Sequence, residues 1–204
     1  MTIEVISYVR MKDHEKGLIM PNVVYFASDD NLNCVPVMRR RFAADTFTAV
    51  AANANPATLL AVLAKAQPVD LLIIGTHGEH AAFLTISGHE ESAQPGCDIS
   101  YKTGHARHLH PATFGTTVRP YLAAGAVISL ISCSVAGGAH GKTFVMAMSA
   151  TADATVRAAD NEVKVSTVGT ETVYVTVNGG GVWESTKGSY PLEVTKRGSR
   201  YQYW

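Results

Sequence analysis

Two reactive side chains, His77 and Cys133, each come at the end of an apolar run in the sequence. His77 lies in LLIIGTHG (71–78), and Cys133 directly follows AVISLIS (126–132). In open α/β sheets, reactive groups collect beyond the carboxyl ends of the strands. Neighbouring strands lie about 4.8 Å apart, so two adjacent parallel strands would bring the imidazole and the thiol close together. Such a pair predicts a thiol nucleophile assisted by an imidazole.

The residues after the cysteine, SVAGGAHG (134–141), are small and lead into a helical pattern. Small side chains would let a substrate backbone approach Cys133, and backbone N–H groups of such a turn can stabilise an oxyanion. Gly78, which follows His77, would leave its own N–H uncovered in the same way. The turn and Gly78 therefore both favour acyl-transfer chemistry.

The elements that must position these groups alternate between strands and helices. Apolar and β-branched runs predict strands, Pro-initiated or periodic runs predict helices, and the order favours a mainly parallel sheet covered by helices on both faces. We therefore expect an α/β fold, a three-layer α-β-α sandwich. The expected strands are 3–9, 22–28, 46–50, 69–75, 126–132, 154–159, 163–168 and 171–177, and the expected helices are 56–65, 112–124 and 141–150.

The chain of 204 residues predicts one domain, residues 1–204. Residues 88–111 are polar and rich in Gly and His, and they predict a long loop without regular elements, inserted into that domain. The tail from Asn178 is rich in Gly and aromatic residues and predicts irregular structure at the edge of the fold.

Composition and charge narrow the class of protein. The 17 basic and 17 acidic residues balance, which argues against nucleic acid or a membrane surface as partner. The three cysteines, Cys34, Cys97 and Cys133, form no CxxC element, so free thiols in a reducing compartment are expected. The first residues lack the charged and apolar regions of a signal peptide, and no apolar run reaches the length of a membrane span. These features predict a soluble, cytoplasmic protein, and no cofactor is indicated.

The two motifs together resemble the caspase–gingipain–legumain superfamily of cysteine peptidases, clan CD, in which a strand followed by His-Gly precedes a strand followed by the nucleophilic Cys. His77 lies 56 positions before Cys133, which is close to the interval of about 50 in caspases. Two bacterial branches are the most similar, the self-processing peptidase domain of RTX toxins and the caspase-like domain of large adhesins. Residues 69–161, with SCSVAGGAHGKTFV and ATVRAADN, resemble the pattern of the adhesin branch.

This resemblance implies a cysteine endopeptidase with a peptide or protein substrate. His77 would be the imidazole partner and Cys133 the nucleophile, with the N–H groups of Gly78 and Cys133 as oxyanion donors. Ser132, Ser134 and Asp160 are the implied substrate-binding residues. Self-processing in the 88–111 segment is an open alternative within this reading, and neither an oligomeric state nor an activating ligand is indicated.

Substrate preference rests on Asp160, which lies near the position where metacaspase-like members carry an acid that pairs with Arg or Lys. An acid there would favour cleavage after a basic residue, and Lys102 and Arg107 would then be candidate self-cleavage sites. A simple turn also uses Asp-Asn, however. The chain departs from the family pattern at Ile131, where metacaspases have a second Asp, and at Ser132, where many members have Ala or Gly.

Three other functions compete with the peptidase. Six of the eight histidines lie between His77 and His110, so His105, His108 and His110 could hold zinc in a metal-dependent hydrolase, although neither HExxH nor CxxC occurs. A caspase-like fold could also serve as a non-catalytic interaction module. A phosphate-binding loop is disfavoured, because Ala136 stands where the first glycine of GxxxxGK[ST] belongs.

Overall fold

A computed structural model describes residues 21–27, 47–50, 56–76, 78–79, 83–85, 98–100, 108–168, 172–195 and 200–201. The strands are β1 (Val23–Ala27), β2 (Phe47–Val50), β3 (Val69–Gly75), β4 (Gly78–Glu79), β5 (Phe83–Thr85), β6 (Asp98–Ser100), β7 (His108–Leu109), β8 (Leu122–Leu130), β9 (Thr155–Ala159), β10 (Val163–Val168), β11 (Thr172–Val177), β12 (Val182–Thr186), β13 (Leu192–Glu193) and β14 (Arg200–Tyr201). The helices are α1 (Pro56–Ala66), α2 (Pro111–Val118) and α3 (Gly138–Ala152), and a 3₁₀ turn spans Arg119–Tyr121.

A seven-stranded sheet forms the centre of the described structure. Its strand order is β13-β12-β9-β8-β3-β1-β2. The five strands from β9 to β2 run parallel to their neighbours, whereas β12 and β13 are antiparallel. The prediction of an α/β fold with a mainly parallel sheet is therefore confirmed.

The strands that precede the two reactive residues are direct neighbours. β3 pairs with β8 in parallel, with Ile74 opposite Leu130. Every described side chain of β3 except that of Asp70 is buried, because β1 and β8 flank the strand and both faces of the sheet are covered there. Such a strand reads as a continuous apolar run, which is how the sequence predicted it.

All three described helices pack on one face of the sheet. Leu59 and Leu63 of α1, one turn apart, join Val24 and Leu72 in a single core. On α2 and α3 the corresponding core residues are Phe114, Val118, Phe144, Val145 and Met148. The opposite face of β1 and β3 is also buried at Val23, Tyr25 and Ile73. The three helices that the sequence predicts thus lie on one face, and within the described residues no helix covers the other. The strand expected at 3–9 lies outside the described residues.

Three expectations about local structure are wrong. The helix expected over 112–124 ends at Val118, because Pro120 has no N–H and cannot continue it, and β8 begins at Leu122. Residues 98–100 and 108–109 form β6 and β7 of a four-stranded sheet (β4-β5-β6-β7), in a segment predicted to be a loop. The tail after Asn178 contributes β12, which pairs with β9, so it is regular at the point where it meets the sheet.

Candidate functional site

The candidate site lies where β3 and β8 end. The last backbone hydrogen bond described between them runs from the Ile131 N–H to the Ile74 carbonyl, at 2.8 Å. Ligands of open α/β sheets bind beyond the carboxyl ends of the strands. The switch point of this sheet lies one strand away from the candidate site, between β1 and β3, because the chain leaves β1 towards β2 and returns to β3 on the other side of β1.

Two hydroxyl groups meet just beyond the end of this ladder. Thr76 Oγ1 lies 3.4 Å from Ser132 Oγ, and the two residues are 56 positions apart. Both side chains are buried, with 3% and 2% of their surface exposed. The chain positions that directly follow this contact are His77 and Cys133. His77 itself lies outside the described residues.

Cys133 is a free thiol and is half-buried between two buried serines. Its sulfur accepts a hydrogen bond from the Val163 N–H at 3.3 Å, and it lies 3.9 Å from the Val163 carbonyl oxygen. A core cysteine in an apolar environment would be fully enclosed. Cys133 instead contacts backbone polar groups at the start of β10 and has partial access to solvent.

The Cys133 N–H is a candidate oxyanion donor. Within the described part of the chain no acceptor contacts it, whereas the Ile131 N–H, two positions earlier on the same side of β8, still bonds to β3. Donors left open at the end of a ladder are available to a developing negative charge. Gly78, the second predicted donor, is the first residue of β4 and lies opposite Leu84 of β5.

The turn after Cys133 is fixed to the end of β9. Ser134 has a left-handed backbone, with a φ of 57°. Its N–H donates to the Asn161 carbonyl at 2.9 Å, and the Ala136 N–H donates to the Ala159 carbonyl at 2.7 Å. The Gly137 N–H then bonds back to the Ser134 carbonyl at 2.9 Å, and α3 begins at the next residue. These bonds make the chain turn sharply at Cys133.

Asp160, the predicted substrate-binding acid, lies one residue beyond β9 and contacts protein donors through both oxygens. Oδ1 accepts from the Gly181 N–H at 2.8 Å, and Oδ2 accepts from Trp183 Nε1 at 2.9 Å. The Lys142 ammonium lies 3.8 Å from the centroid of the Trp183 ring. The Asp160 carboxylate therefore links β9 to β12, and sequence reasoning missed this role for Trp183.

Of the three histidines predicted as zinc ligands, the structure describes the side chain of His110. His110 caps α2, and its Nδ1 accepts from the Ala112 N–H at 3.2 Å. His105, Lys102, Arg107 and the side chain of His108 lie outside the described residues. In the ranges that the structure describes, no group of three or more His, Cys, Asp or Glu side chains could hold a metal ion.

Lys142, which belongs to the disfavoured phosphate-loop motif, lies within α3, where its ammonium contacts Trp183. The Ala136 backbone lies 2.5 Å from the position that a Cβ on Gly141 would take, so the two residues are in close contact.

No protein-family model and no curated protein matches this sequence. No helix in the described part of the chain is long and apolar enough to cross a membrane.

Proposed function

We propose that this chain is a cysteine endopeptidase of the caspase-like type, with a three-layer α-β-α fold and a dyad of His77 and Cys133. One observation carries the proposal: the residues before His77 and Cys133 are in contact at the carboxyl ends of two neighbouring parallel strands. The half-buried thiol and the open Cys133 N–H support it, because a nucleophile and an oxyanion donor are both needed for acyl transfer.

The reaction would begin with the Cys133 thiolate attacking the carbonyl carbon of a peptide bond, which forms a C–S bond and an oxyanion. The Cys133 N–H, together with that of Gly78, would donate hydrogen bonds to the oxyanion. The His77 imidazolium would protonate the leaving amine as the C–N bond breaks. His77 would then take a proton from water, whose oxygen attacks the thioester, releasing the carboxylate product and the thiol.

Cleavage after a basic residue is a separate part of the proposal, with Asp160 as the acid that would bind the substrate. Its two oxygens already accept hydrogen bonds from Gly181 and Trp183, so a basic side chain would have to share them. The cytoplasm is the proposed compartment, because a reducing environment keeps the nucleophilic thiol intact.

The test compares the wild type with Cys133→Ala and His77→Ala on a fluorogenic peptide library, with mass spectrometry of the protein itself to detect self-cleavage. We expect each substitution to lower kcat by about 10³-fold or more, because covalent and acid–base catalysis act as one unit. Cys34→Ala and Cys97→Ala are matched controls that remove thiols elsewhere, and they should leave cleavage unchanged.

Two further arms separate the competing functions. Iodoacetamide should label Cys133 and abolish cleavage, whereas a chelator should not affect it; the reverse pattern would indicate a metal-dependent hydrolase. A wild-type protein that cleaves no peptide, and whose Cys133 is alkylated at the same rate with and without His77, would contradict the peptidase and favour a non-catalytic module.

A further inference from the structure

A side-chain contact joins the ends of β3 and β8 just beyond the last backbone hydrogen bond described between them. The ladder's last described bond is Ile131 N–H to Ile74 carbonyl, and the Cys133 N–H has no acceptor within the described ranges. The next described contact across this gap is the one between the hydroxyls of Thr76 and Ser132. This contact therefore contributes to the relative position of the two strand ends.

The burial of the two hydroxyls makes their contact sensitive to the relative position of the strand ends. Only 3% of Thr76 and 2% of Ser132 is exposed, so water reaches neither hydroxyl freely. Strand ends that slide past each other would separate the two oxygens and remove this partner from the buried Ser132 hydroxyl, which costs desolvation free energy. The hydroxyl pair therefore favours the arrangement in which Thr76 and Ser132 lie directly opposite each other.

We infer that Thr76 and Ser132 are positioning residues for the dyad. Their hydroxyl contact fixes how far the end of β3 extends relative to the end of β8, and so the position of His77 relative to Cys133. This inference rests on the proposed function. It also gives Ser132 a role other than the substrate binding that the resemblance implies, since its hydroxyl contacts Thr76 and is buried.

The first test uses Thr76→Val, which keeps the shape and removes the hydroxyl, and Ser132→Ala. We expect kcat for peptide cleavage to fall about tenfold to a hundredfold with KM changed less than about twofold, because a displacement of about 1 Å between reacting groups costs up to about 10²-fold in rate. Thr76→Ser and Ser132→Thr keep a hydroxyl and should restore most of the rate. The pH profile of Cys133 alkylation should shift towards that of His77→Ala.

The chain offers a matched control in a second buried hydroxyl pair. Ser149 Oγ and Ser185 Oγ lie 2.6 Å apart, both fully buried, and join α3 to β12. Ser185→Ala should lower the stability of the protein while leaving kcat and the alkylation profile unchanged. Equal losses of kcat in Ser185→Ala and Ser132→Ala at equal folded fraction would overturn the inference, since general loosening would then explain both.

A second measurement needs no catalysis. In a His77→Cys variant that also carries Cys34→Ser and Cys97→Ser, oxidation should form a disulfide to Cys133, because the preceding residues Thr76 and Ser132 are in contact and a disulfide needs its two Cα atoms within about 7 Å. Adding Thr76→Val or Ser132→Ala should slow this step at least about fivefold, and adding Ser185→Ala should not. Unchanged trapping rates overturn the inference whatever the activity. Slower trapping in a protein that cleaves no peptide would uphold the positioning role and reject the proposed function.

Discussion

The carboxyl ends of β8 and β9 lie side by side in the same sheet and differ in how completely their polar groups are satisfied. At the end of β9, the Asp160 N–H donates to the Gly181 carbonyl, and both carboxylate oxygens accept hydrogen bonds. At the end of β8, the Cys133 thiol is half-exposed, and no described group accepts from its N–H. We call the end of β9 the closed end, because residues of β12 and the turn before it bond to its polar groups. We call the end of β8 the open end, because the Cys133 N–H has no described acceptor.

This difference shows that residue type alone is a poor guide to function. In the sequence, an aspartate and a cysteine that follow adjacent strands are both candidate site residues. In the structure, the contacts of Asp160 join it to β12, and they stabilise the fold whether or not a substrate binds. The contacts of Cys133 leave its backbone N–H without a described acceptor, so this N–H could donate a hydrogen bond to a substrate, as a reactive position requires.

The largest effect on stability is expected at the closed end. Asp160→Ala removes the acceptor of the Gly181 N–H and of Trp183 Nε1, and hydrogen bonds to a charged group contribute about 1.5–3 kcal/mol each, so the free energy of unfolding should fall by about 3 kcal/mol. Urea denaturation measures this change. Glu162→Ala, at an exposed acid two residues away, should cost less than about 1 kcal/mol.

The same variant tests substrate preference. Loss of cleavage after basic residues in the folded Asp160→Ala protein would support the proposed substrate-binding role, and unchanged stability would contradict the contrast between the two strand ends. If stability falls and the remaining activity keeps its preference, Asp160 serves the fold.

An intermediate effect is expected in the turn that leads away from the open end. A Cβ at Gly141 would lie 2.5 Å from both the Ala136 carbonyl carbon and the Val135 carbonyl oxygen, so Gly141→Ala forces the backbone after Cys133 to move. We expect a loss of about 2 kcal/mol, as for overpacking elsewhere, together with a slower alkylation of Cys133. Thermal unfolding and the alkylation rate are the two readouts.

Gly138→Ala is the control for this prediction. Gly138 has a φ of 61° but no atom within 4 Å of an added Cβ, so its substitution carries the backbone cost alone, about 1 kcal/mol. If Gly141→Ala alters the alkylation rate no more than Gly138→Ala does, the packing under the turn does not position Cys133.

Much of the central sheet could be predicted from local patterns. The apolar runs of β3 and β8 and the strand–helix alternation indicate adjacent parallel strands without any long-range information. Pro120 also marked the end of α2, although the sequence reading extended the helix beyond it. The hydroxyl contact could have been found as well, since Thr76 and Ser132 have the same spacing as His77 and Cys133.

The closed strand end could not be predicted in the same way. Asp160 and Trp183 are 23 positions apart, and their hydrogen bond exists because β12 returns antiparallel to β9 after the glycines that follow Asn178. Strand pairing of this kind depends on tertiary packing, and a Gly-rich tail gives it no periodic signal. The isolated Asp-Asn after a strand therefore suggested either a turn or a substrate acid, and the pattern alone did not distinguish them.

The smallest effect is expected at Ser134, whose left-handed backbone belongs to the open end. With a φ of 57°, a residue that has a Cβ is disfavoured by about 1–2 kcal/mol, while glycine loses about 0.5–1 kcal/mol more chain entropy on folding. Ser134→Gly should therefore be more stable than Ser134→Ala by up to about 1 kcal/mol. Both variants lack the hydroxyl, so any substrate contact through Oγ cancels in their comparison.

At the exposed Ala150 of α3 the order should reverse, with Ala150→Gly less stable than the wild type. Equal stability of the two Ser134 variants would mean that the turn after Cys133 is unstrained, and the contrast between the two strand ends would then rest on hydrogen bonding alone.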